Sequence, residues 1–196
     1  MKNIASNRHL ARAEWLFLLI FACLGAAAPL KAQTLPPELA QAWPQARVGG
    51  QHTMRFFGLA IYDIQLWVAP GFRPGQDTDL ALSLTYRRSL SGAAIAQRSL
   101  DEMARQGAIA PVQAQSWLQA MTRLFPDVGA GDRLTGWYKA GQGAQFWFNG
   151  QWRGEVADAE FARRFFDIWL GSQTSEPALR AALLAPLQST AAQAAP

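Results

Sequence analysis

The stretch from Met54 to Val68, MRFFGLAIYDIQLWV, constrains the fold more than any other part of this chain. Its even positions run Met54, Phe56, Gly58, Ala60, Tyr62, Ile64, Leu66, Val68, and its odd positions run Arg55, Phe57, Leu59, Ile61, Asp63, Gln65, Trp67. A period of two in β-branched and aromatic residues specifies strand. The first half is apolar on both sides, as in a strand covered on both faces, and the second half gains a polar side. Gly58 sits where a bulge or a close backbone approach fits. The stretch reads as one long, bent, central strand or as two strands joined by a tight bend.

The rest of the chain supplies partners for it. Leu80, Leu82, Leu84 and Tyr86 alternate with Ala81, Ser83 and Thr85, the pattern of a half-buried strand. Ser91 is an N-cap for a helix to about Gln106, with Ala93, Ala96, Leu100 and Met103 on its apolar face. Pro111 opens a second helix with Ala114, Leu118, Met121 and Phe125 on one side. Leu134–Tyr138, Ala144–Phe148 and Gln151–Val156 read as a three-stranded meander, with Asn149-Gly150 as a strong hairpin signal. Asp158 caps a helix that buries Phe161, Phe165, Ile168 and Trp169, and Ser175 caps a last helix. Strands, two helices, strands, two helices make an α+β fold, a large antiparallel sheet with helices packed on one face.

The N-terminus is of a different kind. A polar, basic segment precedes the apolar run Trp15–Leu24, and small residues follow, with cleavage favoured after Ala32. This is the layout of a secretory signal peptide, and ten apolar residues are short for a membrane span. Residues 1–32 are therefore expected to be a signal peptide, 33–46 an extended lead-in, 47–187 the domain, and 188–196 a disordered tail. Periplasmic localisation follows, with no stable membrane span after cleavage. The formal charge of +4 belongs largely to residues 1–32; beyond them 14 basic residues face 13 acidic ones. That balance leaves no electrostatic footprint for nucleic acid.

Few chemistries remain open. Past residue 32 there is one histidine, His52, and no cysteine, which disfavours a zinc or iron site and a nucleophilic triad. Gly141-Gln142-Gly143 misses the dinucleotide-binding pattern and lies in a hairpin. Asp127, Asp132, Asp158 and Glu176 read as caps and turn residues. No cofactor is expected. What stands out is Arg55 ahead of Phe57, Leu59 and Ile61, a guanidinium beside an apolar row that can hold a carboxylate or phenolate, with Tyr62, Trp67 and Tyr86 as further lining. Taken alone, the same residues read more simply as a snorkelling strand-end arginine above core aromatics, because aromatic rows are usually packing.

Together these segments resemble the chalcone isomerase-like family, in its bacterial exported branch. The resemblance rests on Val48-Gly49-Gly50, on Arg55, Gly58, Ile61-Tyr62-Asp63 and Leu66-Trp67, and on Leu84, Tyr86 and Arg88. It continues through Phe125-Pro126-Asp127-Val128, Gly131-Asp132-Arg133-Leu134, Phe146, Phe148-Asn149-Gly150, Gly154 and Phe165-Phe166 to Gly171, over residues 47–185. The resemblance implies the fold already read from the periodicities. It also implies one of two functions: closing a phenolate onto an enone, or binding fatty acids without catalysis. The enzyme pattern is incomplete here. Phe57 stands in place of a strand threonine, Gln97 and Arg98 stand on a helix that lacks the tyrosine–lysine–asparagine set, and Leu179 replaces a hydroxyl residue. Arg55, or equally Met54, aligns with the steering arginine. Replacing donors by Phe and Leu suits an amphipathic acid better than an enone.

The expectation is thus a non-catalytic protein binding a small apolar or acyl, fatty-acid-like ligand in a sheet–helix cleft lined by Arg55, Phe57, Tyr62, Trp67 and Tyr86. The alternatives are an intramolecular lyase or isomerase on a chalcone-like enone, and an envelope partner-binding module that uses Trp137, Trp147 and Trp152.

Overall fold

The alternation of Met54–Val68 breaks at Phe57-Gly58, and the break is a turn. Both residues take left-handed backbone angles, φ 46° and 79°. Two successive positive φ values make the two-residue turn whose twist matches antiparallel strands. The stretch is therefore two strands, β1 (Arg47–Phe56) and β2 (Leu59–Val68), with Phe56 opposite Leu59. The protein is seen here in a computed structural model that describes residues 34–193. The expected signal peptide and the last residues of the expected tail lie outside the described residues.

Among the described residues four more strands follow: β3 (Leu80–Tyr86), β4 (Arg133–Lys139), β5 (Gly143–Phe148) and β6 (Gln151–Val156). All six pair antiparallel in sequence order, a meander with β1 and β6 at its edges. β1 is thus an edge strand rather than a central one. Asn149-Gly150 closes β5 and β6 with φ 50° and 82°, the same turn as Phe57-Gly58 but with a residue that tolerates it.

The helices are α1 (Pro37–Ala42), α2 (Gly92–Arg105), α3 (Pro111–Leu124), α4 (Ala159–Leu170) and α5 (Pro177–Gln193). Caps place two of them as expected: the Ser91 hydroxyl accepts from the Ala94 N–H at 3.2 Å, and the Asp158 carboxylate accepts from Glu160 and Phe161. α2 to α5 cover one face of the sheet, where Ile64, Leu66, Leu82, Leu84 and Phe146 meet Met103, Met121, Phe161, Phe165 and Leu183 in the main core. α5 lies so close to β1 that a Cβ on Gly50 would sit 2.1 Å from the Ala182 carbonyl oxygen. α5 runs to Gln193, past the point where a disordered tail was expected.

The lead-in is not simply extended. Pro37 sits in the first turn of α1, where its missing N–H costs nothing. α1 packs on the opposite face, where Leu39 and Trp43 join Trp67, Ala81, Trp137 and Trp147 in a second core. Trp43 stacks on Trp137 at 5.3 Å. Glu38 is pinned beneath this helix: its carboxylate accepts from Arg133 Nε and Nη2 at 3.2 and 2.9 Å and from the Thr135 hydroxyl at 2.7 Å. Thr135 lies 3.3 Å from Ser83, which accepts from Trp67 Nε1 at 3.2 Å. This polar row crosses the sheet and leaves its buried members bonded.

Candidate functional site

Between the sheet and α2 and α4 the main core leaves a partly enclosed cavity of about 370 Å³. The sheet contributes Met54, Tyr62, Leu82, Leu84, Tyr86, Leu134 and Phe146; α4 contributes Phe165, Phe166, Ile168 and Trp169. Gly136 helps to make the room. A Cβ there would press within 3.2 Å of both Phe146 and Phe166. The rings behind the cavity brace one another edge to face, as between Phe146 and Phe165 at 5.4 Å, so its wall is packed rather than loose.

One edge of this apolar space is polar. α2 turns Arg98, Ser99 and Glu102 towards it, and Ser175 and Glu176 enter from the segment before α5. Glu102 is buried, and its carboxylate meets Arg98 at 2.5 Å and Arg105 at 3.4 Å. The Arg98 side chain remains 67 % exposed, so its guanidinium spans the cavity edge and water. Two phenols lie deeper. Register places Tyr62 directly opposite Tyr86, and their rings meet edge to face at 5.9 Å. The Tyr62 hydroxyl accepts from Trp169 Nε1 at 2.9 Å, which leaves its own proton to donate. Burial pushes the Tyr62 phenol up to about 12 and raises Tyr86 as well, so both remain neutral hydroxyls.

Of the five side chains singled out from sequence, the fold brings Tyr62 and Tyr86 together in this cavity. The other three lie elsewhere. Arg55 is exposed on the β1–β2 hairpin and donates to the Gly58 carbonyl at 3.2 Å. Phe57 is the turn residue beside it, 90 % exposed. The apolar row that linked Arg55 to Ile61 assumed one strand; the turn puts the two on different strands. Trp67 faces the other side of the sheet, beneath α1, because its neighbours Leu66 and Val68 take the helix face. Trp137 and Trp147 lie on that same far side and are buried; Trp152 is 52 % exposed, against Trp147. The cation that the fold does bring to the cavity is Arg98. Its neighbours Ser99 and Glu102 are the signal that sequence reading passed over, because polar residues on the buried face of an amphipathic helix break its pattern. Among the described residues no three His, Cys, Asp or Glu side chains converge as a metal site.

The family model described as chalcone isomerase-like matches residues 75–185, more than half of the chain. The chain belongs to the chalcone isomerase-like family. The match begins in the loop after β2, so the β1–β2 hairpin lies outside it. Among solved structures, a fatty-acid binding protein of Arabidopsis thaliana is similar at a TM-score of 0.59 and 15 % identity, over 75 % of this chain and 90 % of that one. At that identity the likeness is one of fold. No curated protein matches the chain. The six-stranded antiparallel sheet of the described residues, with its helical layer, is the frame that holds the cavity.

Proposed function

We propose that the protein binds a small acyl or otherwise apolar ligand in the sheet–helix cavity and does not act on it chemically. The observation that carries this reading is the cavity itself: about 370 Å³, walled by aliphatic and aromatic side chains, with polar groups gathered at one edge. That is the composition of a site that takes an apolar body and orients it by a few polar contacts. Each methylene buried there contributes about 0.8 kcal/mol. In this reading the ligand's tail lies against Leu82, Leu84 and Phe146, and its head meets Arg98. Arg98 replaces Arg55 as the proposed carboxylate partner because it lines the cavity. Fatty-acid binding by a structural neighbour of the same fold supports an acyl ligand. Export to the periplasm is part of the same proposal, carried by the basic segment, apolar run and small residues before Gln33.

Titration of paired ligands, a fatty acid and its methyl ester or alcohol, tests the site. Arg98→Ala is expected to weaken the acid by about tenfold, the range of a charge-assisted hydrogen bond, and to spare the neutral analogue. Equal loss for both, or no preference for the acid in the unaltered protein, sinks the role of Arg98. A second reading, an isomerase acting on an enone, is favoured by the two adjacent neutral phenols Tyr62 and Tyr86, which can donate to a developing enolate. Turnover of an enone panel, lost in Tyr86→Phe, would replace the first reading with this one.

A further inference from the structure

The β1–β2 hairpin tip is built against the ordinary rules of a soluble surface. Phe57 occupies a left-handed position, φ 46°, where Asn149 sits in the equivalent turn. A bulky side chain is rare there, and this one makes no core contact to offset the strain. Phe57 is 90 % exposed, Leu59 58 % and Phe56 56 %, and the space around Gly58 is empty. Phe56 reaches from this patch to the cavity, whose lining also includes Met54 and Ile61, so the exposed patch and the site form one apolar surface. Cations ring it. Arg55 lies on the hairpin itself, and the Arg87 N–H bonds the Ile61 carbonyl at 2.9 Å, which brings Arg87 and Arg88 alongside. Asp63 pairs with Arg87 at 2.6 Å, and Glu102 and Glu176 line the same cavity, so Arg55, Arg87, Arg88 and Arg98 face three carboxylates and the edge keeps a small positive excess.

We propose that this hairpin tip inserts into the surface of an anionic lipid bilayer and sets the cavity mouth against the source of its ligand. Apolar side chains that enter the acyl boundary, with arginines at headgroup level, are the elements of interfacial binding. Charge complementarity favours anionic lipid over a neutral surface or a second positively edged copy of this chain. The delivery role rests on the acyl-binding reading above; insertion itself does not.

The test uses the proposed exported form of the chain, from Gln33 onward, which has no cysteine of its own, carrying an environment-sensitive fluorophore at Leu59→Cys or, as a control at the opposite end of the sheet, at Gln142→Cys. Vesicles contain phosphatidylcholine with or without phosphatidylglycerol. The expected result is blue-shifted emission at the tip, quenched by a bilayer-buried quencher, in phosphatidylglycerol vesicles and not at the control. Added salt should diminish it. Phe57→Asn should reduce tip insertion by about tenfold, since a buried Phe carries at least that much. The same substitution should leave the melting temperature unchanged or higher, because Asn suits the turn. A tip label that stays in water with both vesicle types overturns the proposal, as does insertion unchanged by Phe57→Asn. A blue shift without lipid that grows with protein concentration also overturns it and makes the tip a self-association surface. Binding of a soluble short-chain fatty acid should survive Phe57→Asn. Its absence from the unaltered protein would sink the acyl reading while insertion stands.

Discussion

Replacing Glu38 by alanine tests whether α1 belongs to the fold or merely rests on it. The Glu38 side chain is 1 % exposed and Arg133's is 30 %. Removing one partner of a fully buried ion pair costs about 3–5 kcal/mol. Arg133 can turn towards water, so most of its share is relieved by solvent screening. What remains is the Thr135 hydroxyl, fully buried, which loses an acceptor at 2.7 Å. An orphaned buried hydroxyl costs about 1–3 kcal/mol. Thr135 retains a longer contact with Ser83, but α1 loses its polar anchor to the sheet. The expected cost of Glu38→Ala is therefore about 2–3 kcal/mol, and about 1 kcal/mol for Glu38→Gln, which keeps an acceptor. Urea denaturation should show the midpoint falling at constant slope, with faster amide exchange over residues 37–42. Ligand affinity should not change, because Glu38 lies on the face away from the cavity. A loss below about 0.5 kcal/mol for Glu38→Ala, a value typical of surface sites, would mean that α1 merely rests on the sheet.

Two further outcomes follow from the buried groups. All three tyrosines of the chain have phenols raised above their ordinary value of 10.0 by burial, Tyr62 to about 12, and in Tyr138 a hydrogen bond with Asp77 adds to it. A raised folded value means that stability is whole below pH 10 and drains away as pH climbs towards 12, by about 3 kcal/mol for Tyr62. Absorbance titration should show almost no tyrosinate at pH 10 in the folded protein, and early ionisation would contradict the burial. Gly50→Ala should destabilise the domain by at least about 1–3 kcal/mol in thermal denaturation, since its Cβ meets backbone of α5 that cannot swing aside; a neutral result would mean that α5 does not seat on β1 as described.

Much of the architecture was legible because local signals agreed with one another. Leu80–Tyr86 alternates without interruption, Asn149-Gly150 is a turn by its own chemistry, and Ser91 and Asp158 cap the helices they precede. The β1–β2 turn was harder to place, because a phenylalanine in a left-handed position carries no turn signal. α1 hid behind Pro36 and Pro37, and its six residues show no helical period. The site was legible only by half. Period two separates Tyr62 and Ile64 from Asp63 and Trp67, but does not say which set meets the helices; that depends on where α2 to α5 pack. Tyr62 and Tyr86 meet through strand register, while Arg98 reaches the cavity from α2 across a layer that strand periodicity does not describe. The buried Glu102 that holds Arg98 in place is visible only once the helix is docked.

Whether the sheet–helix cavity holds an acyl ligand can be read from the protein itself. The most direct measurement is to purify the protein under native conditions, extract it with solvent, and identify bound small molecules by mass spectrometry against the protein concentration. The expected result is a near-stoichiometric acyl compound, released on unfolding and diminished in Arg98→Ala. A protein that comes out empty, and takes up no fatty acid when offered one, would rule out an acyl ligand in this cavity.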